Sequence, residues 1–170
     1  MIVKNLSEEY EPQVWELVKL ADNEFIPPLS ARNSTTQGNL LPGTETASEG
    51  PVTYFEGLKK QEMLLYVEDD EVIGFMSYIP HHTLEIPGTE ERRGVNYVST
   101  VIVNPKGRGK RITEKFYQEL MKQSDIPLAT RTWSSNSAHI HILEKLGFEL
   151  VATLKDDRGK SIDTVYYMKA

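Results

Sequence analysis

The chain has no cysteine among its 170 residues. This absence excludes disulfides, cysteine nucleophiles and thiolate metal sites, and it favours a reducing, cytoplasmic location. Long apolar runs are missing as well, since none approaches the roughly 18 residues that a membrane-spanning helix needs. The N-terminus, MIVKNLSEEYEP, is charged too early for a secretory signal. We therefore expect a cytoplasmic protein that does not act in a membrane.

Positive charge is the minority charge, with 19 Lys and Arg against 25 Asp and Glu and a formal net charge of −6. A chain with this balance repels polyanions at long range, so we expect no nucleic-acid partner. Its length suits one domain built around one core, and we predict a single domain over residues 1–170.

Hydrophobic periodicity predicts an alternation of short strands and helices. The predicted strands lie at 2–6, 63–67, 72–79, 95–103, 128–133, 148–154 and 162–168. The first predicted helix begins at a cap at Ser7, and the second lies around 54–58. The third covers 112–124, and the fourth runs from Ser135 or Asn136 to Leu146 and ends before Gly147. This order predicts a mixed sheet with helices on both faces.

Two polar segments separate these elements, at 23–50 and 80–94. The first is rich in Pro, Ser, Thr, Asn and Gly and is longer than most connections in compact domains, so it is either mobile or covers a substrate. Its carboxylates at Glu24, Glu45 and Glu49 fit either a cationic acceptor or an ordinary solvated face. We expect both segments to be loops.

One turn concentrates positive charge, in the stretch VIVNPKGRGKRIT at 101–113. A strand that leads through a glycine-containing turn into a helix gathers unpaired backbone N–H groups, and anions bind at such places. Alone, the pattern also fits a solvated loop. A nucleic-acid patch would need basic residues recurring along a face or alternating with aromatic residues, and this sequence has neither.

The same turn resembles the acetyl-CoA-binding motif of the GNAT acetyltransferases, V-x-P-x-x-R/Q-G-x-G-x-G/A, at Val103, Pro105, Arg108 and Gly109. A second stretch, NSAHIHILEKLGF, resembles the family signature N-x-x-A-x-x-L-Y-E-K-L-G-F. Its matching residues are Asn136, Glu144, Lys145, Leu146, Gly147 and Phe148. The two motifs occur in the family's order, about one strand apart.

This resemblance implies an α/β (α+β) fold with a GNAT-like mixed, mostly antiparallel twisted sheet of about seven strands. It also implies an acetyl-CoA-dependent N-acetyltransferase that acts on a primary amine of a small molecule or peptide by direct attack in a ternary complex. Acetyl-CoA is then the cosubstrate. The resemblance assigns its binding to Val101, Ile102, Val103, Arg108, Gly109, Lys110, Arg111, Ile112, Thr113 and Asn136. Asn136 is also a candidate helix cap.

The chain departs from the family pattern at three positions. Arg111 and Thr113 stand where the family has its second and third glycines, or glycine then alanine, and Leu143 replaces the tyrosine thought to protonate the departing thiolate. A register that aligns Gly107 and Gly109 with the glycines restores the pattern but breaks its spacing, so we prefer the first register. Arg111 and Leu143 leave a second hypothesis open, a catalytically silent acyl-CoA-binding regulatory module.

Two residues are candidate catalytic bases. Tyr97 lies an even number of residues before Val101, so strand periodicity places both on one face, and it resembles in position an acidic residue of some relatives. His139 shares a helix face with Asn136 and Leu143 and titrates in the range that a base needs. Core packing is the alternative for Tyr97, and a water-bonded surface histidine is the alternative for His139.

Other features are less informative. His81 and His82 are adjacent in a predicted loop, and His139 and His141 are two apart on a helix, so we expect no metal site. Arg131 and Trp133 pack in the core or line the cleft. The final Tyr-Tyr-Met at 166–168 fits a core or an interface, which leaves a homodimer open. The identity of the amine acceptor does not follow from the sequence.

Overall fold

The computed structural model describes residues 1–38, 40 and 51–170. In chain order these residues form β1 (Ile2–Lys4), α1 (Glu11–Ala21), α2 (Val52–Leu58), β2 (Glu62–Glu68), β3 (Glu71–Glu85), β4 (Arg92–Val103), α3 (Ile112–Gln123), β5 (Leu128–Trp133), α4 (Ser137–Lys145), β6 (Glu149–Leu154) and β7 (Thr164–Lys169). Short 3₁₀ turns occur at Asp22–Glu24, Leu29–Ala31 and Pro105–Gly107. Glu45 and Glu49, two of the three acidic residues noted in the early loop, lie outside the described residues.

The strands form one seven-stranded sheet in the order β1-β2-β3-β4-β5-β7-β6. Each neighbouring pair is antiparallel except β4 and β5, which run parallel. The predicted fold class, a mixed and mostly antiparallel sheet of about seven strands, is confirmed.

Helices cover both faces of the sheet, as predicted. Because successive strand residues point to opposite faces, Leu65 of β2 packs in a core cluster with α1 and α2, and its neighbour Leu64 packs in another with α3 and α4. Each cluster contains fully enclosed helix residues, such as Val14 of α1 and Phe116 of α3. The face that carries α1 and α2 is called the α1 face below, and the other the α3 face.

The prediction that 80–94 is a loop is wrong, because most of this segment is the outer part of a long β3–β4 hairpin. Backbone pairing continues from His82 opposite Val95 to Glu85 opposite Arg92. The polar residues there lie on largely exposed arms, so they signalled a loop although the backbone is paired. Pro80, which has no N–H to donate, falls within the register shift between Ile79 and His82, where a strand tolerates proline.

Element ends differ slightly from the predictions. The first helix begins at Glu11 rather than at a Ser7 cap, and the Ser7 carbonyl accepts hydrogen bonds from the N–H groups of Tyr10 and Glu11 at 3.1 and 2.9 Å. Gly147, with φ of +92°, follows α4 as expected. The Tyr-Tyr-Met segment at 166–168 lies in β7, an internal strand, and is buried in the chain's own core. None of the helices in the described residues has the length and apolar character needed to cross a membrane.

Candidate active site

A cleft opens where the two parallel strands part. β4 and β5 pair only at Asn96 with Leu128, Tyr97 with Ala129 and Val98 with Thr130. Both strands continue beyond this point, to Val103 and Trp133, and their facing edges diverge. The cleft between them has a volume of about 380 Å³, within the usual range of ligand pockets, and residues 98–103 and 130–133 form its two walls.

A β-bulge shapes the β4 wall. Ser77 of β3 pairs with Thr100, and the next residue, Tyr78, pairs with Val98, so Ser99 is the extra residue. The bulge reverses the alternation of side chains along β4. The expectation that Tyr97 shares a face with Val101 is therefore wrong: Tyr97 packs on the α1 face with only 3% exposure, and it does not line the cleft.

The turn after β4 lies at one end of the cleft. Gly109 has φ of +83°, and Arg111, the N-cap of α3, is left-handed with φ 55° and ψ 37°. The first N–H groups of α3, which begins at Ile112, have no acceptor within the helix. Gly107 packs inward, where an added Cβ would lie 2.7 Å from Ile73 Cγ2, whereas at Gly109 it would meet nothing within 4 Å. This favours the register in which Gly109 and Arg111 occupy the family's glycine positions.

The four positive charges of the turn divide into two pairs. Lys106 and Lys110 form ion pairs with Glu71 and Glu68, the latter at 2.8 Å. Within the described residues, Arg108 and Arg111 form no ion pair shorter than 4 Å. These two guanidinium groups are therefore the cations of the turn that no described carboxylate binds directly.

Of the ten predicted cofactor-binding residues, five lie in the turn at 108–112 and the other five lie along the cleft. Val101, Ile102, Val103, Thr113 and Asn136 line it. The Asn136 Nδ2 donates to Thr132 Oγ1 at 3.0 Å and does not cap the helix that follows. The Ile112 side chain is buried in the core and Lys110 is held by Glu68, so these two residues present their main chain rather than their side chains.

His139 projects from α4 into the wall of the cleft. Its Nε2 lies 2.8 Å from the hydroxyl of Tyr117, which is fully enclosed. Burial lowers the pKa of His139 to about 4, so the imidazole is neutral at neutral pH. Leu143, one turn further along α4, is fully enclosed in the core and does not line the cleft. Of the three residues expected on one functional helix face, only Asn136 and His139 reach the cleft.

The opposite end of the cleft, called the arginine end below, is formed on the α1 face. It is lined by Glu24, Phe25, Arg32, Thr35, Arg131, Trp133 and Arg158. Two of the guanidinium groups come from almost fully buried residues, Arg32 at 5% and Arg158 at 2% exposure. Burial, together with the charges of Arg32 and Arg131, lowers the pKa of Arg158 to about 9.

The profile of the family described as Acetyltransferase (GNAT) domain matches residues 42–151, which is more than half of the chain. The chain belongs to the GNAT acetyltransferase family. This membership implies an acyltransferase, and the family uses acetyl-CoA.

Solved structures agree with this GNAT assignment in their fold. The ribosomal-protein-alanine N-acetyltransferase of Brucella melitensis aligns with a TM-score of 0.68 at 21% identity, covering 99% of this chain and 98% of that one. The aminoglycoside 6'-N-acetyltransferase of Enterococcus faecium aligns with a TM-score of 0.64 at 16% identity, covering 99% of this chain and 96% of that one. The structure of yncA from Salmonella typhimurium, solved with acetyl-CoA, aligns with a TM-score of 0.65 at 14% identity, covering 99% of this chain and 92% of that one. No curated protein matches the chain. At these identities the structures show a shared fold alone.

A chain of hydroxyl and amide groups lies beside the bulge of this GNAT protein. Ser99 Oγ donates to Gln61 Oε1 at 2.6 Å, and Gln61 Nε2 donates to Thr35 Oγ1 at 2.6 Å. The neighbouring Thr100 Oγ1 lies 2.6 Å from the Tyr54 hydroxyl. Ser99, Thr100 and Thr35 all line the cleft, so this series of hydrogen bonds connects the β4 wall of the cleft with its arginine end.

Sequence reasoning missed several of these GNAT cleft residues. Arg32 and Arg158 were not singled out, because nothing in their local sequence marks them and only the fold brings them together. Glu24, for which a solvated face was the alternative, lines the cleft, as do Arg131 and Trp133. No residue of the segment 80–94 lines the cleft.

Proposed function

We propose that this GNAT protein is an acetyl-CoA-dependent N-acetyltransferase that transfers an acetyl group to a primary amine of a small molecule or peptide. One observation carries the proposal: β4 and β5 part after Val98 and Thr130, and the N-terminal turn of α3 lies at one end of the cleft between them. This places a strand edge with free main-chain groups next to a set of unpaired N–H groups, which suits a long ligand with a phosphate at one end. The family membership supports the same conclusion.

The residues present fit acetyl-CoA. Glycine at position 109 keeps side-chain atoms away from the turn, and the left-handed Arg111 directs the chain into α3. The N–H groups of Gly109, Ile112 and Thr113 would hold the diphosphate, and Arg108 adds a charge-assisted contact. Val101 and Val103 would offer main-chain groups to the pantetheine arm, as a neighbouring strand does.

The bound acetyl-CoA supplies an acetyl thioester at the bulge. An alkylamine has a pKa near 10.4, so only about one molecule in a thousand is neutral at pH 7, and the protein must assist its deprotonation. In the proposed step the amine nitrogen bonds to the acetyl carbon and the carbon–sulfur bond breaks. The amine proton passes to the Glu24 carboxylate, which lines the cleft, and from there to water. An N–H of the β4 wall polarises the acetyl carbonyl.

Departure of the thiolate does not require a tyrosine at position 143. A thiol pKa near 8.5 makes the thiolate a tolerable leaving group, which takes its proton from water afterwards. Tyr97 has no part in this scheme because it lies outside the cleft. His139, neutral and weakly basic, holds the cleft wall together with Tyr117.

The second candidate function, a catalytically silent acyl-CoA-binding module, is favoured by the enclosed Leu143, which leaves no hydroxyl at the family's tyrosine position. One experiment separates the two functions. Purified full-length protein is titrated with acetyl-CoA by calorimetry, and thiol release is then followed with a panel of primary amines. Binding with amine-dependent thiol release supports the enzyme. Binding without release for any amine supports the silent module, and absence of binding overturns both.

A matched pair of variants locates the binding. Asn136→Ala, in the cleft wall, should weaken acetyl-CoA binding, because the residue is placed to contact the ligand. Ser135→Ala, at its exposed neighbour, should bind acetyl-CoA as the unchanged protein does. Equal affinity in the two variants would exclude Asn136 from the cofactor site.

A further inference from the structure

Three arginines from distant parts of the chain meet at the arginine end of the cleft. Arg32 follows the early 3₁₀ turn, Arg131 lies in β5, and Arg158 precedes β7. Arg32 and Arg158 donate to the carbonyls of adjacent residues, Pro27 and Ile26. Between these two arginines lie the rings of Phe25 and Trp133, with centroids 5.3 Å apart and planes tilted by 58°. The three guanidinium groups therefore line one small region.

No carboxylate in the described part of the chain forms an ion pair with these three groups. One acidic side chain, Asp157, is linked to Arg158 through Thr164: Arg158 Nε donates to the Thr164 hydroxyl at 2.9 Å, and that hydroxyl donates to Asp157 at 2.6 Å. The positive charges of these arginines repel one another: that of Arg131 lowers the pKa of Arg32, and those of Arg32 and Arg131 lower the pKa of Arg158. Buried charges are normally paired, so among the described residues this cluster lacks a directly bonded anion, and Glu24 lines the same end of the cleft without an ion pair to it.

Each arginine also has a nitrogen that its protein contacts leave free. The bonds of Arg32 to Pro27 use Nε and Nη2, those of Arg158 use Nε and Nη1, and those of Arg131 to Tyr166 and Gln37 use Nη1 and Nη2. Among the described residues, no fully enclosed side-chain nitrogen or oxygen lacks a hydrogen-bond partner. The remaining nitrogens must therefore reach open space, and all three residues line the cleft.

We propose that the amine acceptor also carries a carboxylate, which Arg32, Arg131 and Arg158 bind while its amine faces the β4 bulge. This inference rests on the proposed function. Guanidinium groups present planar pairs of donors that match a carboxylate. Glu24 lines the same end and suits the ammonium group of such a zwitterion on entry. A polycationic acceptor would meet three like charges there, which disfavours it.

The test uses full-length protein and pairs of amines that differ only in the acidic group. The acceptors are the common L-amino acids, β-alanine and 4-aminobutyrate, each beside its carboxamide, with saturating acetyl-CoA and thiol release as the readout. At least one acid should exceed its amide by about 100-fold in kcat/KM, because the amide leaves buried charge unpaired. Calorimetric titration of the same acids into the protein–CoA complex measures their binding without turnover.

Variants connect the preference to the cluster. Arg131→Gln should reduce the acid-to-amide ratio to near 1 and leave the KM for acetyl-CoA unchanged, and Arg131→Lys should restore part of the ratio. Arg93→Gln, which removes an exposed arginine paired with Glu91 on the hairpin, is the matched control and should keep the wild-type ratio. Circular dichroism verifies that each variant is folded.

The outcomes separate the inference from the function on which it rests. Thiol release that is as fast with amides as with acids overturns the carboxylate site and leaves the acetyltransferase proposal standing. The carboxylate site also falls if no acid binds the CoA complex and none is acetylated. Failure of the proposed function would instead appear as absence of acetyl-CoA binding, or of thiol release with every amine.

Discussion

The hydroxyl of Tyr117 and the Nε2 of His139 lie 2.8 Å apart, in hydrogen-bond contact at the wall of the cleft. Burial raises the pKa of Tyr117 and lowers that of His139 to about 4, so both groups are neutral at physiological pH. The pair therefore joins α3 to α4 without charge. This contact contributes to the shape of the cleft and has a measurable effect on stability.

His139 should make the protein less stable as the pH falls from 6.5 to 4. In this window the unfolded chain binds a proton at a histidine of ordinary pKa, near 6.5, and the folded chain does not. The contribution of His139 to the free energy of unfolding is fully present above pH 6.5. It is lost towards pH 4, by at most about 1.4 kcal/mol per pH unit. Urea unfolding between pH 4 and 8 should show a weaker pH dependence in His139→Gln. His141→Gln, at an exposed position of the same helix, should retain the wild-type slope. Equal slopes in all three proteins would show that His139 is not protected from protonation.

Tyr97→Phe should leave the pH profile of kcat/KM unchanged and its value within about twofold. Burial raises the pKa of Tyr97 to about 12, so only about one phenol in ten thousand is ionised at pH 8, too few for an effective base. The side chain also lies outside the cleft. Steady-state rates of thiol release between pH 6 and 10 provide the test. A loss of tenfold or more, with a shifted limb of the profile, would restore Tyr97 as a catalytic base.

Arg111→Gly should stabilise the fold by about 0.5–1 kcal/mol. Arg111 is held at φ 55°, a left-handed conformation that favours glycine, and the family has glycine at this position. Lys110→Gly is the matched control, because its φ is not positive and glycine there adds flexibility without relieving strain. Chemical denaturation should therefore show a higher free energy of unfolding than wild type for Arg111→Gly and a lower one for Lys110→Gly. Destabilisation of both would mean that the Arg111 side chain contributes more than its backbone strain costs.

Gly107→Ala should destabilise the protein by about 1–3 kcal/mol, since the new methyl group would lie 2.7 Å from Ile73 Cγ2 and 2.9 Å from Ile112 Cδ1. Gly38→Ala, at a position where the added Cβ meets no atom of the described residues within 4 Å, provides the comparison. The difference between their unfolding free energies is the measured quantity. If the two variants are equally stable, the turn after β4 has more room than the structure shows.

The sequence predicted the parts of the site that consist of contiguous residues. The turn at Arg108–Thr113 and the start of α4 after Asn136 each have a local pattern, a strand-to-helix turn and an amphipathic helix. Both elements lie where the sequence predicts them, although the Asn136 side chain does not cap the helix. The element order also predicted the sheet with helices on both faces. These features depend on periodicity and turn chemistry, which neighbouring residues determine.

Features that depend on distant residues were not predicted. The bulge at Ser99 arises from the pairing of β4 with β3, and it moved Tyr97 to the opposite face from Val101. The polar side chains of the outer hairpin predict a loop, because side-chain polarity does not reveal backbone pairing. Arg32 and Arg158 are 126 positions apart by subtraction of their residue numbers, and no local pattern indicates that they meet.

The central claim is that acetyl-CoA lies between the parted strands with its diphosphate on the turn before α3. An experimental structure of the protein with CoA tests it most directly. We expect diphosphate oxygens within about 2.7–3.2 Å of main-chain nitrogens between Gly109 and Thr113, and the thiol in the gap between β4 and β5. A diphosphate bound elsewhere, or a turn filled by the guanidinium group of Arg111, would contradict the account.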